Sequence, residues 1–436
     1  MTATKDGPGA ARDRGGYPPD HPSEEGNSVS FTTTTKPSVR QILDAGLDAS
    51  TVGADEAVML PPACYTDPEF FEFEKQALFL REWVCLGRTE QVANPGDYFT
   101  ATIADEPLIV VRDTHGAVRV MSAVCRHRAM VITDPPAKPS ERWWDTTPVE
   151  SSGNCGHGFR CPYHFWTYNT EGRLIGAPDM ERTKGFRKED ICLPQLGVEI
   201  WNNFIFANFD TGAPPLSPRL EKIETVIANW DIANMVQSTP EDLEALPWNW
   251  KVMFENFVEF YHSDRLHNRI CAFSTSDSYI ESPFAPDDAA IISAGRTTHP
   301  DFGFNPTFKA LFPPIKTRTE DERALAAFFL VPPTLAFGVN SDSAFYFLLV
   351  PTAVDRLNIR VAGLYPRGYL DLPLFHELEA VSALGIDYFN QMDFAAVSSV
   401  QRGLRSRFAP RSQLCWQETP INQFHRWLVP RYESAS

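Results

Sequence analysis

Two clusters of metal-ligating side chains restrict this chain more than any other feature. They are Cys125-x-His127 with Cys161-x2-His164 and, further on, Glu259-x2-His262-x4-His267. A thiolate pair and an imidazole pair supplied by two short loops match a two-iron, two-sulfide centre, with the cysteines on one iron and the histidines on the other. Neutral imidazole ligands raise the potential of such a centre into a range useful for oxygen chemistry. A structural zinc site is the competing reading, since two Cys and two His also suit a tetrahedral ion.

The segment Asn249 to His267 carries the second cluster. On a helix, Glu259 and His262 share a face, so the carboxylate can accept a hydrogen bond from one imidazole nitrogen while the other binds metal. His262 and His267 lie about 140° apart around an ideal helix, so the helix is expected to end or widen between them. Two histidines and one carboxylate with open positions form the facial triad of non-haem Fe(II) oxygenases, which speaks against zinc in the first cluster. The third ligand must come from elsewhere in the chain. Asn256, one turn before Glu259, is placed either to touch substrate or oxygen or to cap backbone.

With 436 residues the chain is too long for one core, and two packed domains are expected. A net charge of −17 argues against nucleic-acid or anionic-membrane partners. Eight scattered cysteines do not form a disulfide framework and fit a reducing cytoplasm. Cys64, Cys85, Cys192, Cys271 and Cys415 read as small buried or half-buried hydrophobes, and Cys155 with His157 as incidental. His21, His115, His299, His376 and His425 receive no role. The N-terminus has no apolar run after its first basic residues, and no stretch is long enough to span a membrane.

Residues 1–36, rich in Gly, Pro, Ser and Thr, are expected to be a flexible tail. Residues 37–95 should form helices packed on the catalytic domain, one beginning near Thr66 with Glu69 completing a capping box. Short alternating stretches between turn signals predict a small all-β domain over 96–215, interrupted by an insertion at 131–152. Residues 216–436 read as α+β. Helices are expected at Leu220–Asn229 and Trp250–His262, strands at 324–331, 334–338, 344–350 and 357–364, and further helices at 372–384 and 387–404. Phe337, Phe345, Phe347 and Leu349 are candidate pocket residues.

The strings VCRHR at 124–128 and CPYHFW at 161–166 resemble the two halves of the Rieske motif in large subunits of Rieske non-haem iron oxygenases. The segment 249–267 and the string DFAAVSSVQRGLRS at 393–406 resemble the same family's catalytic motif and late helix. Three departures stand out: Phe165 where the family usually has Gly, Ala123 where Asn is common, and a roughly doubled gap between His127 and Cys161.

The resemblance implies an α+β fold: a Rieske [2Fe–2S] domain plus a helix-grip (START-like) antiparallel-sheet domain. It implies one [2Fe–2S] cluster on Cys125, His127, Cys161 and His164, and one mononuclear Fe(II) on His262, His267 and Asp393, with Asp387 as runner-up. Electrons are expected from NAD(P)H through a reductase, with or without a ferredoxin. Glu259 is implied as the bridge to His164 of a neighbouring subunit in a cytoplasmic homotrimer. The implied reaction is hydroxylation or oxidative demethylation of a small organic substrate with O2. The alternatives are cis-dihydroxylation of an aromatic substrate and, outside the family, a zinc-stabilised ligand-binding protein. Glu in place of Asp at position 259 resembles the members that act on choline, carnitine or betaine.

Overall fold

The computed structural model describes residues 36–46, 52–134, 152–267, 278–285, 287–298, 300–305 and 307–436. The expected tail, all but the ends of the 131–152 insertion, and Cys271, His21 and His299 lie outside them. Helix α1 (Val39–Gly46) precedes α2 (Ala63–Thr66) and α3 (Pro68–Glu74), and α3 runs into a π-helical turn at Lys75–Phe79. The cap of α3 is Asp67, not Thr66: its carboxylate accepts from the N–H groups of Glu69 (2.8 Å) and Phe70 (3.2 Å). Pro68 suits the first helical position because its missing N–H would have had no partner there.

Strand β1 (Val84–Arg88), within the stretch expected to be helical, is fully buried. The meander β2 (Asp97–Ile103), β3 (Glu106–Arg112) and β4 (Val118–Ser122) takes β5 (Ser152–Asn154) onto the free edge of β2, giving the antiparallel order β4-β3-β2-β5. A three-stranded sheet follows from β6 (Gly158–Arg160), β7 (Thr167–Asn169) and β8 (Leu174–Gly176). The hairpin β9 (Gly197–Trp201) and β10 (Phe204–Asn208) then pairs with β1. Strand β3 is apolar on both faces. Leu108 and Val110 join the core shared with the helices, whereas Ile109 and Val111 pack with Cys125 and Cys161 of the two Cys/His loops. One strand therefore anchors the small β region to the rest of the chain.

After α4 (Glu221–Ile227), strands β11 (Met235–Gln237) and β12 (Glu241–Leu246) pair with opposite halves of a long later strand. Helix α5 (Trp250–Val258) and the short α6 (Ser263–Leu266) precede β13 (Tyr279–Ile280) and β14 (Ile291–Arg296). Helix α7 (Glu320–Arg323) leads into β15 (Leu325–Val331), β16 (Leu335–Val339), β17 (Ala344–Ala353) and β18 (Arg356–Pro366). The result is an eight-stranded antiparallel sheet in the order β11-β18-β17-β16-β15-β14-β13, with β12 also on β18. Both faces are covered. Tyr346 and Leu348 pack toward Trp201 and Phe204, whereas Phe345, Phe347 and Leu349 face the helices. Phe337, expected beside Phe345, lies on the opposite face because it is registered with Tyr346 and stacks on Phe329.

The helices expected at 372–384 and 387–404 are one helix, α8 (Phe375–Leu404). Gly385, in the gap left between those two expected helices, is a packing notch: a Cβ there would sit 2.4 Å from the Phe304 carbonyl and from the Cα of Asn305. Helix α9 (Thr419–Ala435) buries Ile421, Phe424, Leu428 and Tyr432 along one stripe, a period the sequence reading left unassigned.

Helix α5 is held by buried polar groups. Asn249 caps it, its side chain accepting from Lys251 N–H (2.9 Å) and donating to Val354 O (2.7 Å). Gln401 of α8 accepts from Asn249 N–H and donates to Tyr65 O. Lys251, fully buried, pairs with the equally buried Glu74 at 2.6 Å, and Trp250 and Tyr432 also donate to Glu74. Glu255 accepts from Tyr65 (2.6 Å) and contacts His425 Nε2 at 2.8 Å, so His425 is a structural member of this network. Breaking one partner of a buried pair strands the other charge, so Lys251→Met should lower stability by about 3–5 kcal/mol. Lys251→Met with Glu74→Leu should recover much of that in urea unfolding; equal losses would deny the coupling.

Candidate metal centres

The two loops of the first cluster share one backbone design. Cys125 N–H donates to Met130 O (2.9 Å) and Ala129 N–H to Cys125 O (3.1 Å); Cys161 N–H donates to Trp166 O (2.8 Å) and Phe165 N–H to Cys161 O (3.0 Å). In each loop the fourth residue after the cysteine is left-handed, Ala129 at φ +57° and Phe165 at φ +58°. This is the physical sense of a glycine at the second position: Phe165 adopts a conformation that costs an L-residue about 1–2 kcal/mol.

The loops converge. Cys125 and Cys161 are buried, unoxidised and in contact with each other. Burial raises the Cys161 thiol, opposed by N–H groups of Tyr163 and His164 directed at the sulfur. Tyr168, whose hydroxyl lies 3.3 Å from Cys125 Sγ, closes the inner side. His127 and His164 meet edge to face with centroids 4.7 Å apart, and Trp166 stacks on His127 at 4.7 Å. His127 is exposed and His164 half-buried, so the sulfur end is inside and the imidazole end at the rim. Two adjacent thiols met by backbone donors, with two adjacent imidazoles outside them, fit a cluster with mixed ligation. Cys155 packs on the neighbouring core, and Cys192, expected to be at least half-buried, is exposed.

The second centre differs from the helical expectation. Helix α5 ends at Val258, and Glu259 is extended (φ −103°, ψ 153°), so the break precedes His262 and does not fall between the two histidines. Glu259 reaches His262 through a turn: one carboxylate oxygen accepts from His262 N–H (3.0 Å) and the other meets His262 Nδ1. The remaining nitrogen, Nε2, points at Asp393 Oδ1 at 3.5 Å, and His267 Nε2 points at the same oxygen at 3.3 Å. The three ligand atoms lie within 4.8 Å of one another. Asp393 Oδ1 is buried without a hydrogen-bond partner, which a cation among these atoms would relieve. Asp387 is on the exposed side of α8, accepting from Gln391.

Electrostatics prepare this triad for a cation. Burial raises the Asp393 carboxyl to about 6, although His262 and a hydrogen bond from Asn256 pull it down. Burial, and then His262, lowers His267 to about 4, leaving it neutral. His262 is pushed down by burial, but Glu259 outweighs that and raises it. Asn256 thus orients a candidate ligand.

The triad forms part of the wall of a cavity with about 780 Å³ of empty space, its mouth included. Phe257, Phe304, Phe328, Phe345, Phe347 and Phe389 line it, together with Asn256 and Asn390. Of the expected pocket residues, Phe345 and Phe347 belong here; Phe337 and Leu349 do not. Phe389 and Asn390 went unassigned, although Asn390 sits three residues before Asp393 and so shares its face of α8.

Comparison with known proteins matches the two regions of the chain that carry these side-chain clusters. Residues 82–187 match the Rieske [2Fe-2S] domain, and residues 224–434 match the ring hydroxylating alpha subunit catalytic domain. The chain is 26% identical over 366 residues to the carnitine monooxygenase oxygenase subunit of Acinetobacter pittii, covering 81% of this chain and 87% of that one. It is 32% identical over 229 residues to the biphenyl 2,3-dioxygenase alpha subunit of Rhodococcus jostii, covering 50% and 45%. Among solved structures, a quaternary ammonium Rieske monooxygenase shares the fold at a TM-score of 0.71 and 22% identity, over 89% of this chain and 98% of that one. Naphthalene 1,2-dioxygenase from Rhodococcus sp. does so at 0.71 and 21%, over 90% and 98%.

Fold and sites together define a two-centre oxygenase. The chain belongs to the alpha subunits of the Rieske non-haem iron oxygenases. It is a terminal oxygenase with a [2Fe–2S] cluster and a mononuclear iron, supplied with electrons from NAD(P)H through a reductase.

Protons would compete with a metal ion for Asp393. With its carboxyl near 6, lowering the pH from 7 to 5 should weaken Fe(II) binding by about tenfold through this group alone. Anaerobic Fe(II) titrations check this: Asp387→Asn should keep the pH dependence, and Asp393→Asn should lose the site.

Proposed function

We propose that Cys125 and Cys161 hold one iron and His127 and His164 the other iron of the cluster, and that His262, His267 and Asp393 hold the mononuclear iron. The convergence of two Nε2 atoms on one unpartnered carboxylate oxygen in the cavity wall carries this reading. It favours Asp393 over Asp387. The corresponding division of the chain is a Rieske domain over 96–215 and a catalytic domain over 216–436; of the 37–95 segment, α1 and the 75–79 turn contact α9 of the latter, whereas β1 pairs with β10 of the former.

The proposed reaction is O2-dependent hydroxylation or oxidative demethylation of a small organic molecule. When bound, the cluster supplies single electrons and the ferrous ion activates oxygen. The protein's own part is to hold the substrate against the triad, to exclude water with phenylalanine side chains, and to keep His267 neutral and His262 oriented by Glu259. Cis-dihydroxylation of an aromatic substrate is a second reading, favoured by those same walls. Labelled dioxygen separates the two: a diol keeps both atoms, a mono-oxygenated product one, and demethylation releases formaldehyde. Zinc without iron or acid-labile sulfide would overturn both.

We further propose a cytoplasmic homotrimer in which Glu259 links His262 to the neighbouring subunit's His164. Two features support it: the two bonds from Glu259 to His262, and Tyr261, which brings the same turn to the surface. The similar quaternary ammonium monooxygenase is itself described in terms of inter-subunit electron transfer. No helix among the described residues is long and apolar enough to cross a membrane. Glu259→Ala is expected to retain both metals by metal analysis and spectroscopy yet lose turnover by about ten- to a hundredfold. Normal coupled oxygen uptake in that variant would remove the bridge.

A further inference from the structure

We infer that Asn390 is the polar anchor of the cavity. The substrate would then combine an apolar, ring-sized body with one uncharged hydrogen-bonding group held next to the iron ligands. The inference rests on the oxygenase reading above and names the class of molecule that the site takes.

Asn390 is 7% exposed and lines the cavity, and its side chain makes no hydrogen bond among the described residues. Its carboxamide offers two donors and one acceptor. An occupant that excludes water from this amide must replace the lost hydrogen bonds or leave it unsatisfied at a cost of about 1–3 kcal/mol. Of the other polar groups nearby, His267 Nδ1 and Asp393 Oδ1 are also without a partner, but they belong to the triad. Asn256 bonds Asp393, and Glu259 spends both oxygens on His262.

The walls set the rest of the molecule. Phe304 meets Phe345 at 5.3 Å and 83° and Phe389 at 6.0 Å and 89°, and Phe257 meets Phe328 at 5.6 Å and 86°. Rings already arranged edge to face offer a flat guest both faces and edges. No Lys or Arg among the described residues lines the cavity to pair with a substrate carboxylate, and phenylalanine is a weaker partner for a cation than tryptophan. Both effects favour an uncharged substrate.

Position adds a consequence for regiochemistry. Asn390 lies one turn before Asp393 on α8, with Cβ atoms on that spacing about 5–6 Å apart. The hydrogen-bonding group is therefore held near the metal, and the carbon oxidised is one close to it.

The test measures binding by the anaerobic holoenzyme without reductase, so that no turnover occurs. The probes are naphthalene with 2-naphthol, biphenyl with 4-hydroxybiphenyl, and 2-naphthoate as the charged control. The wild type should bind each hydroxylated member about tenfold or more tighter than its hydrocarbon, and naphthoate more weakly than either. Asn390→Leu should bring each ratio to within about twofold while keeping hydrocarbon affinity and the circular dichroism spectrum; Asn390→Ser should retain part of the preference. Equal affinities in the wild type, a ratio unchanged in Asn390→Leu, tighter binding of naphthoate, or no binding of any probe overturns the inference. Iron and sulfide content of the same preparation report separately on the oxygenase reading.

Discussion

The buried Lys251–Glu74 pair and the polar groups around it hold the iron site in place, because they decide where α5 lies and where it stops. Glu74 comes from α3, Tyr432 from α9 and Gln401 from α8, so three separate parts of the chain grip one short helix. Charges without access to water are tolerated only in close geometry, which makes this grip intolerant of sliding. The turn after Val258, and with it Glu259 and His262, inherits that fixed position.

The two centres obey different physical logic. At the cluster, backbone does the positioning: two loops of the same hydrogen-bonding pattern place sulfur inward and imidazole outward. At the iron site, side chains do it. His262 is set by Glu259, Asp393 by Asn256 and by the register of α8, and α8 in turn is admitted close to the 302–305 segment by Gly385. That approach is what brings Phe304 into the cavity wall.

Much of this was legible in the amino-acid order. Ligand spacing is a local property, so the two clusters and the short strands of the β region could be read directly. The α+β class followed from the same patterns. What escaped reading was set by tertiary contact. Glu259 and His262 meet through a turn, although a helix would also bring them together, and the spacing alone cannot separate the two. Gly385 looks like a helix end until the neighbouring backbone that needs its missing Cβ is known. The misassignment of Phe337 came from cross-strand register, which no alternation within one strand reveals. Asn390 needed the cavity before its lack of a partner had meaning.

Glu259 holds His262 twice, once through the ring and once through the main chain. Ring rotation and turn curvature are thereby reduced to a single degree of freedom. A push on the carboxylate from outside the chain cannot be absorbed by the loop alone; it reaches the imidazole as a torque. Glu259 and the residue that faces Asp393 are thus joined as one unit.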